Sequence, residues 1–194
     1  MLKHIFFVAI LIGVGYYFWQ TRPVTHGPGV IAPTGPDQRS AYGAQRIEFK
    51  NYDIKPLAEF NIEARVLAKK RYTDRMSDLS PYDISLGWGP MSDERILDKI
   101  LVTQSDRYYN LQMANPPIPE HEMIKHSANI HLATSDEQVI NKIRETRIGE
   151  VVSITGYLVE IYSENGWTIR SSLRRDDYGD DASEFLWIRD YEIK

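Results

Sequence analysis

The sequence predicts an α+β protein. A single β-rich domain, its strands bent into an antiparallel barrel or sheet with two short helices, follows an N-terminal transmembrane helix. Three observations carry that expectation. The chain opens with MLKHIFFVAILIGVGYYFWQ, which has no charged side chain between Ile5 and Trp19. Residues 149–161, GEVVSITGYLVEI, are a β-branched run broken by one glycine, the pattern of a long strand that bends. Ser135-Asp136-Glu137-Gln138 is a capping-box signal, followed by Val139, Ile140 and Ile143 at helical spacing.

Residues 1–4 form a short tail and 5–20 the expected anchor. The apolar run is short for a span, since a hydrocarbon core of ~30 Å takes roughly 20 residues at 1.5 Å each. A cleaved signal peptide is the alternative reading. The run ends in Tyr-Tyr-Phe-Trp and continues Gln-Thr-Arg-Pro, without the small residues that peptidase cleavage needs, which favours an uncleaved signal-anchor. Lys3 and Arg22 flank the run almost evenly, so charge sets the orientation only weakly. A short N-terminal tail favours export of the domain, to the periplasm if the cell is bacterial. The chain has no cysteine, which excludes lipoprotein acylation and a disulfide framework. Residues 21–44 hold Pro23, Pro28, Pro33 and Pro36 among Gly27, Gly29 and Gly35, and are expected as a solvated linker, with docking of Val30 and Ile31 onto the domain as the alternative.

The soluble α+β domain covers 45–194. It carries 20 basic against 26 acidic side chains, which argues against a nucleic-acid partner and against broad adhesion to anionic lipid. Residues 46–50 alternate as a strand. Phe60, Ile62, Ala64, Val66 and Ala68 alternate too, with Asn61, Glu63 and Arg65 on the other face, although the same stretch also fits helical spacing. Ser92-Asp93-Glu94 opens a helix with Ile96, Leu97 and Ile100 on one side. Asn165-Gly166 marks a hairpin, with strands over 149–161 and 167–173 and a last strand over 184–193. The Arg147–Val151 approach to the first of these resembles what precedes a strand in OB-like barrels, and such barrels often bind oligonucleotides or sugars.

Three blocks are candidates for function. Trp88, between Gly87 and Gly89, is either an aromatic binding platform or a buried anchor at a strand-to-helix corner. His121, His126 and His131 fall within eleven residues, but intervals of five match neither one helix face nor one strand face, so no metal centre is implied. A strand over 127–133 puts Asn129 and His131 on one face. Ser171 and Ser172 are candidate nucleophiles with His126 or His131 as base and Asp176 as orienting acid, though no Gly-x-Ser-x-Gly elbow surrounds them. The aspartates around Gly179 lack EF-hand spacing and read as a solvated loop. No cofactor is implied.

The blocks Tyr-Asp-x-Ser-x-Gly-Trp-Gly-Pro-Met-Ser-Asp (82–93), His-Ser-Ala-Asn-x-His (126–131) and Gly-Trp-x-x-x-Ser-Ser-Leu-x-Arg (166–175) resemble those of a group of bacterial single-pass envelope proteins with no assigned activity. The resemblance implies an inner-membrane protein and adds no chemistry. The expected function is non-enzymatic binding or scaffolding of a protein or glycan partner through Trp88, Asn129, His131, Ser172 and Arg174. The alternative is a hydrolase or metal-assisted enzyme built from His126, His131, Ser171, Ser172 and Asp176.

Overall fold

A computed structural model describes residues 2–174 and 184–194. The protein is mixed α+β and mostly sheet. Five strands form a closed ring of hydrogen-bonded neighbours: β3 (Tyr52–Arg71), β4 (Tyr82–Gly87), β7 (Ser127–Ala133), β10 (Glu184–Ile193) and β8 (Val151–Ser163), which returns to β3. Short strands β1 (Asp37–Ser40) and β2 (Ile47–Phe49) add to β3, and β9 (Thr168–Arg170) adds to β8. A separate hairpin joins β5 (Leu101–Ser105) to β6 (Tyr108–Gln112).

The expectation of a wholly antiparallel sheet is corrected at one pair. β7 and β10 run parallel, with Ile130 opposite Glu184 and Ala133 opposite Trp187. The reason is arithmetic: directions cannot alternate all the way round a ring of five strands, so one neighbouring pair must be parallel. The other ring pairs are antiparallel.

The ambiguous stretch around residue 60 is strand, within a β3 of 20 residues. Phe60, Ile62, Ala64 and Val66 are buried, while Asn61 and Glu63 are exposed. Burial on one face of a pleat is a larger reward than the weak helical spacing of the same residues. Pro56 sits at a register shift in this strand, where a missing N–H does least harm to the ladder. Gly156 in β8 lies opposite Phe60 on one side and Ile188 on the other, beside a register shift in β10. A Cβ there would stand 2.2 Å from the Trp187 carbonyl oxygen, so only glycine lets the strands close. Gly166, at φ +85°, makes the expected turn between β8 and β9.

Side chains pointing into the ring form the main core, including Phe60, Ile84, Leu86, Ile130, Leu132, Ile154, Leu158 and Tyr191. Helix α4 (Glu137–Glu145) adds Val139 and Ile143 to it. Its N-cap is Asp136, whose carboxylate accepts from the Gln138 N–H at 2.7 Å, one residue beyond the expected Ser135. Lys69 holds the other end, donating from Nζ to the Ile143 (2.8 Å), Arg144 (2.7 Å) and Thr146 carbonyls. Burial pulls that ammonium down to about 8. A second apolar cluster lies outside the ring, with Tyr52, Ile54, Val159, Ile161, Phe185 and Trp187. A third packs Leu67, Met91, Ile100 and Met123 beside the β5–β6 hairpin.

Two further helices are single short turns. α2 (Glu94–Leu97) is capped by Asp93 rather than Ser92, since Ser92 Oγ is taken by the N–H groups of Ile31 and Ala32. α3 (Glu120–Lys125), which the sequence pattern did not announce, follows Pro116, Pro117 and Pro119 and carries Glu120 and Glu122 in its first turn. At the N-terminus α1 spans Leu2–Thr21, with Phe6, Phe7, Ile12, Phe18 and Trp19 exposed. Among the described residues no helix is long and apolar enough to cross a membrane. The anchor reading therefore rests on the sequence of residues 5–20 taken as a whole.

The solvated linker expected over 21–44 is also corrected. The segment is a strap laid on the domain. Val24 N–H donates to the Ile148 carbonyl at 2.8 Å, Gly29 N–H to Asp93 Oδ1 at 3.0 Å, and the Ala32 carbonyl accepts from Gly89 N–H at 2.8 Å. Ala32 is fully buried. Proline and glycine forbid helix and central strand, but they do not forbid docking when polar groups on the domain receive the backbone.

Replacing Gly156 by alanine is expected to destabilise the fold by about 2–3 kcal/mol, in the range of overpacked cores. Gly27→Ala, where a Cβ meets open space, is expected to be neutral. Urea denaturation of the two variants checks this.

Candidate functional site

Among the described residues, the outer face of β4 and β7 brings together a dense group of polar side chains. The pleat sends Ile84 and Leu86 into the ring and leaves Asp83 and Ser85 outward. On β7 the same alternation turns Asn129 and His131 outward. The register sets Asp83 opposite His131 and Ser85 opposite Asn129. The expected sharing of one face by Asn129 and His131 is what the strand delivers.

This face is covered. The tip of the β5–β6 hairpin is a two-residue turn, Asp106-Arg107, with both residues at positive φ (51° and 71°). Neither is glycine, so the turn is held in a costly conformation. What holds it is the Arg107 guanidinium. It reaches Asp74 at 2.6 Å, Asp83 at 2.8 Å and the Ser80 carbonyl at 2.9 Å, and lies 4.2 Å from the centre of the Tyr72 ring. Burial opposes the charge on Arg107, but the two carboxylates outweigh it and its pKa rises. The same contact holds the Asp74 carboxyl well below the usual carboxylate range.

His131 lies in this network with its side chain 4% exposed. Its Nδ1 is 2.9 Å from Asp83 Oδ1, and its ring packs 4.3 Å from that of Phe185. Asn129 makes three hydrogen bonds: its Oδ1 accepts from Ser85 Oγ (3.0 Å) and Gln104 Nε2 (2.6 Å), and its Nδ2 donates to the Arg107 carbonyl (2.9 Å). The chemistry of the network is that of a pin between hairpin and barrel.

The other candidates separate. Trp88 is 4% exposed, packed in the ring core with its indole under Gly35 of the strap, so it offers no platform. The corner reading, with Pro90 and Met91 turning the chain after β4, is the one its geometry matches. His126 ends α3; its Nδ1 lies 2.8 Å from the Glu122 carbonyl oxygen, within its own turn. Ser171 is buried, and its Oγ donates to the Ser172 carbonyl (3.0 Å) while accepting from Phe185 N–H (3.1 Å). Its proton is directed at a carbonyl rather than an imidazole, which is not the arrangement of an activated nucleophile. Ser172 Oγ accepts from Arg174 N–H at 3.0 Å, and Arg174 is exposed. Asp176 and the acidic loop around Gly179 lie outside the described residues. Among the described residues no group of three or more His, Cys, Asp or Glu side chains is placed to hold a metal ion.

Asp83, Asp74 and Arg107 were not singled out by sequence reasoning. The signal that announces them is the β-rich alternation of Leu101–Ser105 and Tyr108–Gln112 about a two-residue gap, which marks a hairpin despite the missing glycine.

A groove of about 280 Å³ lies elsewhere, between the strap, β3, α2 and β5, lined by Val24, Arg65, Glu94, Leu97, Leu101 and Ile148 among others. Its wall carries a buried ion pair, Arg65 to Glu94 at 2.6 Å, and the same carboxylate accepts from the His26 N–H at 2.8 Å. Burial raises the Glu94 pKa, but these two donors outweigh it and the net shift is downward.

No family model matches the chain, and no curated protein or solved structure compared with it gives a match.

Removing the guanidinium in Arg107→Met leaves Asp83 buried without its cation, and is expected to destabilise the domain by about 3–5 kcal/mol. Adding Asp83→Asn is expected to recover part of that loss, a coupling that urea unfolding of the two single variants and the double variant measures. The Asp74 carboxyl titrates below its unfolded value of 3.8. Its contribution is therefore complete above that value and is lost as the pH falls further. Asp74→Asn is expected to flatten the pH dependence of stability below about pH 4, read by unfolding across an acid series.

Proposed function

We propose that this chain is a bacterial inner-membrane protein, held by an uncleaved helix over residues 5–20, whose exported domain binds or scaffolds a protein or glycan partner without catalysis. The observation that carries the non-enzymatic reading is the burial of the reactive groups. His131 is enclosed by Asp83 and Phe185, and Ser171 spends its proton on a carbonyl. Both side chains lie in residues that are almost wholly buried.

The ring order supports an OB-like barrel, with the first long strand paired to both the second and the fourth and a helix inserted after the third. Barrels of this kind bind extended polymers on their strands and loops. The acidic domain disfavours nucleic acid, leaving protein or glycan. Half-buried Phe49, Tyr157 and Trp167 pack against the apolar cluster outside the ring, and aromatic faces suit both partner classes. The anchor is supported by an apolar sequence from Ile5 to Trp19 and by aromatic Tyr16 and Trp19 at its domain end, 6.5 Å apart, as membrane interfaces favour.

The catalytic alternative is favoured by one contact, the His131–Asp83 pair, which has the composition of a base and its orienting acid. Glycan-array and cross-linking capture with the full chain in nanodiscs distinguishes the two. Trp167→Ala is expected to weaken capture at least tenfold while His131→Gln leaves it within twofold. Turnover of any captured substrate that vanishes in His131→Gln decides for the enzyme. A reporter fused after Lys194 is expected to be active only on the exported side.

A further inference from the structure

We infer that the groove rim formed by Val24, Leu101 and Ile148 is a lipid-facing surface, which seats the domain on the bilayer in one fixed orientation. This rests on reading residues 5–20 as the membrane anchor.

The argument is one of reach. Only Arg22 and Pro23 lie between Thr21, the end of α1, and Val24, whose N–H is bonded to the Ile148 carbonyl at 2.8 Å, so three Cα–Cα steps join them. Consecutive Cα atoms are 3.80 Å apart, so Val24 lies at most about 11 Å from the helix end, however the helix is angled. On the anchor reading residues 5–20 lie in the hydrocarbon, so Thr21 sits at the edge of the core. The headgroup layer beyond it is about 5–8 Å deep. Val24, on the groove rim, is thereby held within or a few ångströms beyond the headgroup layer.

The strap cannot lengthen the connection without breaking its clamp. His26 N–H donates to Glu94, its Nε2 lies 2.7 Å from the Gly149 carbonyl oxygen, and Gly149 N–H donates to the Val66 carbonyl at 2.8 Å. Gly149 is at φ +90°, and a Cβ there would stand 1.8 Å from the Val24 carbonyl oxygen, so the loop is shaped around the strap. At this place Leu101 is 60% exposed and Ile148 42%. Two large apolar side chains flanking the root of an anchor match the depth at which headgroups give way to acyl chains. The Arg22 guanidinium lies 5.3 Å from the Trp19 ring centre, a pairing suited to the same layer.

The orientation has a consequence for the partner. β8 leaves the groove at Val151 and ends at Ser163, a path of up to about 40 Å at 3.3 Å per residue. The Asn165-Gly166 turn therefore stands away from the lipid and presents the aromatic end outward.

The absence of cysteine makes the test direct. Single variants Ile12→Cys, Leu101→Cys, Ile148→Cys and Asn165→Cys of the full chain carry a bimane label in phosphatidylethanolamine–phosphatidylglycerol vesicles containing brominated acyl chains. Quenching at 101 and 148 is expected to be at least threefold stronger than at 165, and strongest at 12. Adding Gly149→Ala, which expels the strap, is expected to lower quenching at 101 and 148 at least twofold and leave 12 unchanged. Quenching at 12 with 101 and 148 no different from 165 overturns the lipid-facing rim and leaves the anchor standing. No quenching at 12 removes the anchor, and the rim with it.

Discussion

Strand β3 pairs with β8 from Tyr52 to Arg65 and with β4 from Arg65 to Arg71, and the handover at Arg65 is what turns a sheet into a ring. The backbone of Arg65 faces Val151 on one side and Gly87 on the other. Its side chain leaves the ring outward and would be stranded there without a partner. Glu94 supplies one at 2.6 Å, and the Ser92 carbonyl accepts a further bond at 3.3 Å. The carboxylate that satisfies Arg65 also receives the backbone of His26, so ring closure, the first turn of α2 and the docking of the strap share one ion pair. The bonds to the Ser92 carbonyl and from the His26 N–H use part of the remaining hydrogen-bonding capacity of the pair and offset the cost of burying it, while Arg65 Nε is left without a partner among the described residues.

The same economy governs the opposite flank. Asp83 is wholly buried, and a lone carboxylate there would be intolerable. Arg107 reaches it only because the β5–β6 turn adopts left-handed backbone at two residues without glycine. Local strain is thus held by ion pairs to elements distant in sequence. The histidine and asparagine that look like site residues are absorbed into this fastening, and so the polar density of the β4–β7 face stabilises the fold rather than exposing a reaction centre.

With the two flanks fastened, what the domain leaves open are two places. The strap end carries a groove with apolar rims, and the cluster outside the ring carries half-buried aromatics. The proposed membrane contact lies at the first of these and the proposed partner contact at the second.

Much of this was legible residue by residue. Period-two burial marks β8, the Asn165-Gly166 turn marks the hairpin, and Gly156 marks the bend, because each depends on chain-local geometry. The apolar run at the N-terminus and the acidic balance of the domain are likewise properties of the sequence alone. Tertiary structure decided the rest. Whether the stretch around Phe60 was strand or helix turned on which face found a core, and the parallel β7–β10 pair followed from closing a ring of odd number. Whether the Pro/Gly segment swung free or lay down depended on Ser92, Asp93 and Glu94 about 60 residues away offering partners to its backbone. Whether Trp88 and His131 faced solvent depended on the strap and hairpin that cover them. Patterning by sequence says which side of an element is apolar or polar; what comes to lie against that side is set by contacts between residues far apart along the chain.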